Sequence, residues 1–192
     1  MTNDIPTSLT CIEAALHHFG RQTVLKSLQD GVSAEFLRAS LGKVGLASAP
    51  ALELLYSWRN GTSVTGGVIL DEIHLFPGFY LLSIGDAIEN YCAFVTDSRW
   101  RSGWLPIFAN GGGDFYILDL SSPPTRPVRH FRIEESDHPV EFTSLDAMLM
   151  TLAAAFERGI FFVDSNGYIE MNDLSFGALA AELNPEVKWW SL

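Results

Sequence analysis

Cysteine is scarce in this chain: Cys11 and Cys92 are the only two among 192 residues. That excludes a disulfide scaffold and leaves no CxxC pair. Both fall in segments of helical pattern, where the reading is two buried thiols acting as small apolar groups. Basic charge is the second scarcity. Lys and Arg number 12 against 23 Asp and Glu, a formal net charge of -11. Such a surface repels nucleic acid and anionic lipid alike and favours a basic partner over an acidic one. Long apolar runs are missing too, since none approaches the ~18 uninterrupted apolar residues of a membrane span. The stretch from Met1 to Leu9 holds an acidic residue and no basic one, unlike a secretory leader, so the expected location is the cytoplasm.

Patterns that carry chemistry are equally sparse. There is no HExxH, and His17 and His18 are adjacent, so on a helix they point about 100° apart and cannot share a metal as an i, i+4 pair does. His74, His130 and His138 lack a cysteine or carboxylate at ligand spacing. Asp164 to Glu170 has its glutamate too early, and too little acidic alternation, for a calcium loop, and reads as a hairpin turn. The carboxylate pairs Asp71-Glu72 and Glu134-Glu135 are neighbours in sequence, and neighbours on a strand face opposite ways. Cys92 with one of the five histidines is the remaining route to a small Cys/His-dependent hydrolase, but its helix reads as buried, which makes a thiol inert. The expectation is no catalytic residue, no metal and no cofactor.

What is present is patterning for one globular unit of mixed α and β structure, with 47% hydrophobic residues. Thr10 with Glu13 predicts a capping box opening a first helix. Ser33 to Val44 predicts a second, and Ser48 caps a third that carries Pro50 in its first turn and ends at a left-handed Asn60-Gly61 stop. Gly66 to Leu70 suggests a short strand. Ser83 caps a helix to about Thr96, and Ser144 to Arg158 forms another with a stripe of Leu145, Met148, Leu149, Leu152 and Phe156. Val128 to Glu134 alternates like a half-wet strand. Ile160 to Met171 suggests a terminal hairpin, and a last helix runs from about Leu174 to Leu183. Trp189 and Trp190, being adjacent, cannot both be buried by a strand and suggest an apolar contact patch. The fold class is α+β: a central, mostly antiparallel sheet flanked by about five or six helices.

The most informative stretch is Trp104 to Leu120. An aromatic-proline opening, Gly111, Gly112, Gly113 and Asp114, then Phe115-Tyr116-Ile117-Leu118 and Asp119 make a β-hairpin. The glycines supply positive φ, and Asp114 is expected to fold its carboxylate back onto turn amides. A phosphate loop would need a following helix and usually a Lys then Ser/Thr. Here an aspartate and a β-prone run follow instead.

These residues resemble the signature of the SUKH superfamily, the Smi/Knr-type cell-wall assembly regulator domains: Trp104, Pro106, Phe108, the glycine-aspartate turn and Leu118-Asp119-Leu120. Leu54 to Gly61 is similar to that family's helix ending in Asn-Gly, and Ser144 to Phe156 to its later helix. The resemblance implies a non-enzymatic α+β recognition domain. In this reading residues 1–47 are a helical amino-terminal extension packed on the core, and 48–192 are the SUKH-like domain. It implies an immunity protein that neutralises a basic bacterial toxin, with a regulatory or scaffold role in cell-wall assembly as the alternative. Carried over as a recognition surface are Trp58, Asn60, Gly61, Trp104, Pro106, Asp114 and Asp119. The competing reading buries both tryptophans and uses both aspartates to fix turns. Nothing in the sequence sets the oligomeric state.

Overall fold

The computed structural model describes residues 4–63 and 67–191. Helix α1 (Ile5–His18) opens five residues ahead of the expected Thr10. Asp4 is the cap, accepting the Thr7 amide at 3.0 Å, while the Thr10 hydroxyl donates to the Pro6 carbonyl inside the helix. A short α2 (Gln22–Ser27) and β1 (Leu28–Asp30) follow. Ser33 caps α3 (Ala34–Gly42) as its sequence demands, through the Phe36 amide at 3.1 Å. The N-cap of α4 (Pro50–Trp58) is Ala49 rather than Ser48, because Pro50 already sets the first turn and removes one unpaired amide.

The Asn60-Gly61 stop needs correction. The chain leaves α4 at Arg59 in extended conformation and runs directly into β2 (Arg59–Thr62), which pairs with β1. Of the suggested Gly66–Leu70 strand, Gly66 lies outside the described residues, and 67–69 form no strand. Leu70 starts the single-turn α5 (Leu70–Ile73), whose Asp71 and Glu72 suit a helix amino end.

The central sheet has the order β3-β4-β5-β6-β7, antiparallel throughout, from β3 (Tyr80–Leu81), β4 (Trp104–Ala109), β5 (Phe115–Asp119), β6 (Val128–Phe131) and β7 (Val140–Phe142). Helix α6 (Ile84–Phe94) separates β3 from β4, and α7 (Leu145–Glu157) follows β7. Both have the serine caps expected of them: Ser83 accepts the Asp86 amide and Ser144 the Ala147 amide, each at 3.1 Å. The β8 (Phe161–Val163) and β9 (Ile169–Met171) hairpin is closed by Asp164, which accepts the Asn166 and Tyr168 amides at 2.9 and 2.8 Å. Helix α8 (Asp173–Leu183) and a 3-10 turn (Lys188–Ser191) end the described chain. The architecture is α+β. Eight α-helices occur among the described residues, and the two beyond the expected six, α2 and α5, are too short to show a 3.6-residue period.

Every residue of β4 and β5 is buried, so both faces of the sheet's centre are covered. Helix α6 packs against β4, and α7 packs against α1, α4 and β7. Helix α1 puts Ile5, Leu9, Ile12 and Leu16 into the same hydrophobic core, each at most 1% exposed. Burying four such side chains contributes on the order of 8 kcal/mol by area, comparable to the whole net stability of a domain.

The cysteines differ from expectation. Cys11 is half-buried and donates to Glu157 Oε1 at 3.2 Å; burial, then the Glu157 carboxylate, push its thiol up to about 11. Cys92 is exposed. Helix α6 buries Ile84, Ala87 and Tyr91, and Cys92 sits one 100° step beyond Tyr91, on the solvent side. The two terminal tryptophans are both half-buried. Trp190 donates to the Glu141 carbonyl at 2.5 Å and packs on Phe142 and Phe176, whereas Trp189 lies under the Arg132 guanidinium.

Candidate recognition surface

The seven residues singled out by motif occupy three places. The first is the α4–β2 junction. Trp58 Nε1 donates to Glu13 Oε2 at 2.9 Å, and Arg59 donates to Glu13 Oε1 at 2.9 Å while its guanidinium lies 5.9 Å from the Trp58 ring. Partial burial pushes the Glu13 carboxyl up, but these two donors outweigh it and hold the group below the usual range. Asn60 Oδ1 accepts the Ile84 amide at 3.0 Å and so caps the start of α6 from outside. Gly61 is buried with φ +85, and a Cβ there would stand 2.1 Å from the Ser83 nitrogen. Its glycine identity comes from close backbone contact and a left-handed conformation together.

The second place is the tip of the β4–β5 hairpin. Gly111 and Gly113 take positive φ there. Asp114 does not bond the turn amides as expected. Asn110 does, accepting from Gly112 and Asp114 amides at 2.7 and 3.1 Å. Asp114 reaches outward: Oδ2 accepts from Asn110 Nδ2 and Oδ1 from the Ile133 amide, each at 2.8 Å, tying the tip to the loop after β6. The reason is position: Asn110 enters the turn, where a side-chain oxygen faces the following amides, and Asp114 leaves it.

The third place is the hairpin's base. Trp104 and Asp119 are cross-strand partners, and both are buried, at 3% and 4% exposure. Asp119 Oδ1 accepts from the Ser121 amide and hydroxyl, and Oδ2 lies 3.5 Å from Arg129 Nε. Arg129 lies 5.3 Å from the Trp104 ring centroid, so it joins both residues. Pro106 is buried in β4 where the register shifts, a position at which a missing amide hydrogen does no harm.

The structure therefore brings Trp104 and Asp119 together, places Pro106 in the same strand, sets Asp114 at the opposite end of the hairpin, and keeps Trp58, Asn60 and Gly61 apart on β2 and its approach. Gly61, Trp104, Pro106 and Asp119 are buried; Trp58, Asn60 and Asp114 keep part of their surface. Sequence reasoning missed the residues around the base. Arg99, Arg101, Arg129 and His138 line one cleft of about 160 Å³ with Trp104. The available signal was the recurrence of arginine at 99, 101 and 129 in a chain with 12 basic residues.

Among the described residues, no group of three or more His, Cys, Asp or Glu is placed to hold a metal ion, and no helix is long and apolar enough to cross a membrane. The model of the SMI1 / KNR4 family (SUKH-1) matches residues 50–151, just over half of the chain. The chain belongs to this family. The matched span runs from the first residue of α4 to the middle of α7, so it holds the whole central sheet and all seven motif residues. Membership supports a protein–protein interaction domain of the SMI1 / KNR4 kind. Among curated proteins, none matches the chain.

Proposed function

We propose that this SMI1 / KNR4-family domain is a non-enzymatic immunity protein that binds and neutralises a basic bacterial toxin domain. The observation that carries the reading is the net charge of -11 on a chain of a protein-interaction family. A nuclease toxin must be basic to hold its substrate, and an acidic inhibitor presents the charge that substrate would.

The surface that fits best is the one around Asn60. Asp30, which pairs with Arg59 across the two strands, and Asp86, in the first turn of the helix that Asn60 caps, are exposed there, and Glu89 is exposed one turn further along α6. Asp86 shares a polar cleft of about 400 Å³ with Gln29, Thr62, Tyr80 and Asn90, between the β1–β2 pair and α6. Trp58 and Asn60 are the motif residues with reachable surface on this side and serve as contact residues in this reading, whereas Asp114 lies at the hairpin tip.

The test is co-expression with a toxin encoded beside this chain, followed by association kinetics in rising salt. Steering between opposite charges raises on-rates by ~10 to 10³ and is screened beyond about 8 Å at physiological ionic strength. The expected result is protection of the cell, with an association rate that falls steeply with salt and with the double change Asp30→Lys, Glu89→Lys, while dissociation changes little. If the chain neither protects nor captures a basic protein at low salt, the reading fails and a regulatory scaffold takes its place.

A further inference from the structure

The cleft beside Asp86 holds acceptors that no donor of the chain meets. It lies between the β1–β2 pair, β3 and α6 and has a volume of about 400 Å³. The Ser83 hydroxyl accepts the Asp86 amide at 3.1 Å and donates to Oδ2 at 2.6 Å, so one carboxylate oxygen closes the helix cap and Oδ1 has no partner among the described residues. Asn90, one turn on, donates Nδ2 to the Asp86 carbonyl at 2.8 Å, which leaves its Oδ1 as a spare acceptor. Tyr80 on β3 and Gln29 on β1 line the same space. Burial, then the Asp86 carboxylate, push the Tyr80 hydroxyl up, so it is neutral at pH 7 and lies within reach of the Asp86 charge. Thr62, 3% exposed, lines the cleft as well, and its Oγ1 has no partner among the described residues.

Charge on the surrounding elements has one sign. Strands β1, β2 and β3 and helix α6 carry Asp30, Asp86 and Glu89 against a single basic residue, Arg59, which Glu13 holds at 2.9 Å. Helix α3, packed on α6, adds Glu35 and an Arg38 that is paired with Glu53 at 2.7 Å. Lys26, in the last turn of α2 ahead of β1, is the remaining cation. Four carboxylates outside these pairs therefore stand against one ammonium, and a cation entering the cleft meets a favourable field.

The form of the acceptors selects the cation. A guanidinium seeks two oxygens of one carboxylate side by side, and Asp86 Oδ2 is already taken by the Ser83 hydroxyl. An ammonium is a point charge with three rotatable donors, which suits single oxygens delivered from separate elements. Tyr80 and Leu82 offer apolar surface to a methylene stem. The space admits one extended side chain but not a helix, which is about 10 Å across. We propose that the cleft formed by Asp86, Asn90, Tyr80 and Gln29 receives one lysine side chain of the protein partner, with its ammonium on Asp86 Oδ1. The proposal rests on the toxin reading for the identity of that partner and deepens it by naming the contact.

The experiment is an NMR titration of the full chain at pH 7 and constant ionic strength, following the Asn90 side-chain amide and the Asp86 and Thr62 backbone amides. The probe is Nα-acetyl-lysine methylamide, compared with its arginine and norleucine analogues. A saturable shift is expected with lysine, a weaker one with arginine and none with norleucine, which has a similar stem and no charge. Asp86→Asn keeps an oxygen for the Ser83 hydroxyl and removes the charge; it should weaken the lysine probe about tenfold, as loss of one charge-assisted hydrogen bond does. Gln29→Lys, at an exposed position, sets an ammonium of the chain's own beside the cleft and should block the probe. Glu170→Gln, at an exposed position on β9 outside the cleft, removes the same charge and should change nothing. No saturable shift with lysine, equal binding of either analogue, unchanged affinity in Asp86→Asn, or an equal loss in Glu170→Gln would overturn the proposal. Protection of the cell without lysine binding overturns it while the toxin reading stands; lysine binding without protection sustains the cleft and removes the toxin.

Discussion

At the tip of the β4–β5 hairpin, Asn110 and Asp114 close four hydrogen bonds with each other and with neighbouring amides. At the base of the same hairpin, Trp104, Arg129 and His138 each keep a buried nitrogen without an acceptor. The tip gets its shape from matched polar groups, and little apolar surface is needed to hold it. The base gets its shape from aromatic packing: Trp104 stands 6.1 Å from Trp100 and 6.2 Å from His138, edge to face, with Trp100 in turn 4.9 Å from Phe131. Packing on that scale outweighs an unmet N–H, since truncating a buried tryptophan costs about 3 to 5 kcal/mol and an unpaired donor about 1 to 3. A region held by packing can therefore tolerate unmet donors, and a region held by hydrogen bonds cannot.

The largest expected effect tests that claim at the base. Trp104→Ala should lower stability by about 3 to 5 kcal/mol in denaturant melts. Trp104→Phe sharpens it, because phenylalanine keeps most of the packing and removes the unmet donor; it should recover more than half of the loss. If Trp104→Phe were as damaging as alanine, the indole N–H would be bonded and the contrast with the tip would break.

At the tip, Asp114→Ala should cost about 1 kcal/mol, by freeing the Ile133 amide and the Asn110 side chain. A loss as large as that of Trp104→Ala would show that the loop after β6 depends on the tip for its folding. The smallest effect concerns pH. The Arg99 side chain and amide hold the Asp97 carboxyl down to about 2, from 3.8. A depressed folded pKa gives stability that is present above the unfolded value and lost as pH falls from about 3.8 through about 2. Asp97→Asn should flatten the acid limb of the stability curve in that window by lowering stability slightly at neutral pH and leaving it unchanged below about pH 2, the loss being small because the pair is at the surface. A mutant whose acid limb matches that of the parent protein would show the pair to be idle.

Elements long enough to repeat their pattern were legible in the sequence. Ser33, Ser83 and Ser144 cap the helices they announce, and Trp104 to Asp119 forms the hairpin its punctuation requires, with a register shift at Pro106 that the sequence did not announce. The short elements α2, α5, β1, β3 and β7 were not, because two to six residues cannot display a period. Asn60-Gly61 was misread for a different reason: helix-stop chemistry and strand-contact chemistry use the same residues, and only the nearness of Ser83 tells them apart. Of the site, the residues of the motif could be found but not their setting. The cleft was out of reach, since its arginines and histidine lie on separate strands and loops and meet only through the pairing of β4, β5 and β6.

The unequal surroundings of the two thiols give the protein a built-in attachment point. With its thiol held at about 11, Cys11 carries on the order of one thiolate per ten thousand molecules at neutral pH, whereas Cys92 lies open on the outer side of α6. A maleimide dye should therefore mark each molecule once, without any engineered residue. Phe94, two positions further on, packs against Trp100 at 5.3 Å, so the dye reports from a helix anchored in the aromatic core and can measure how close a captured partner comes.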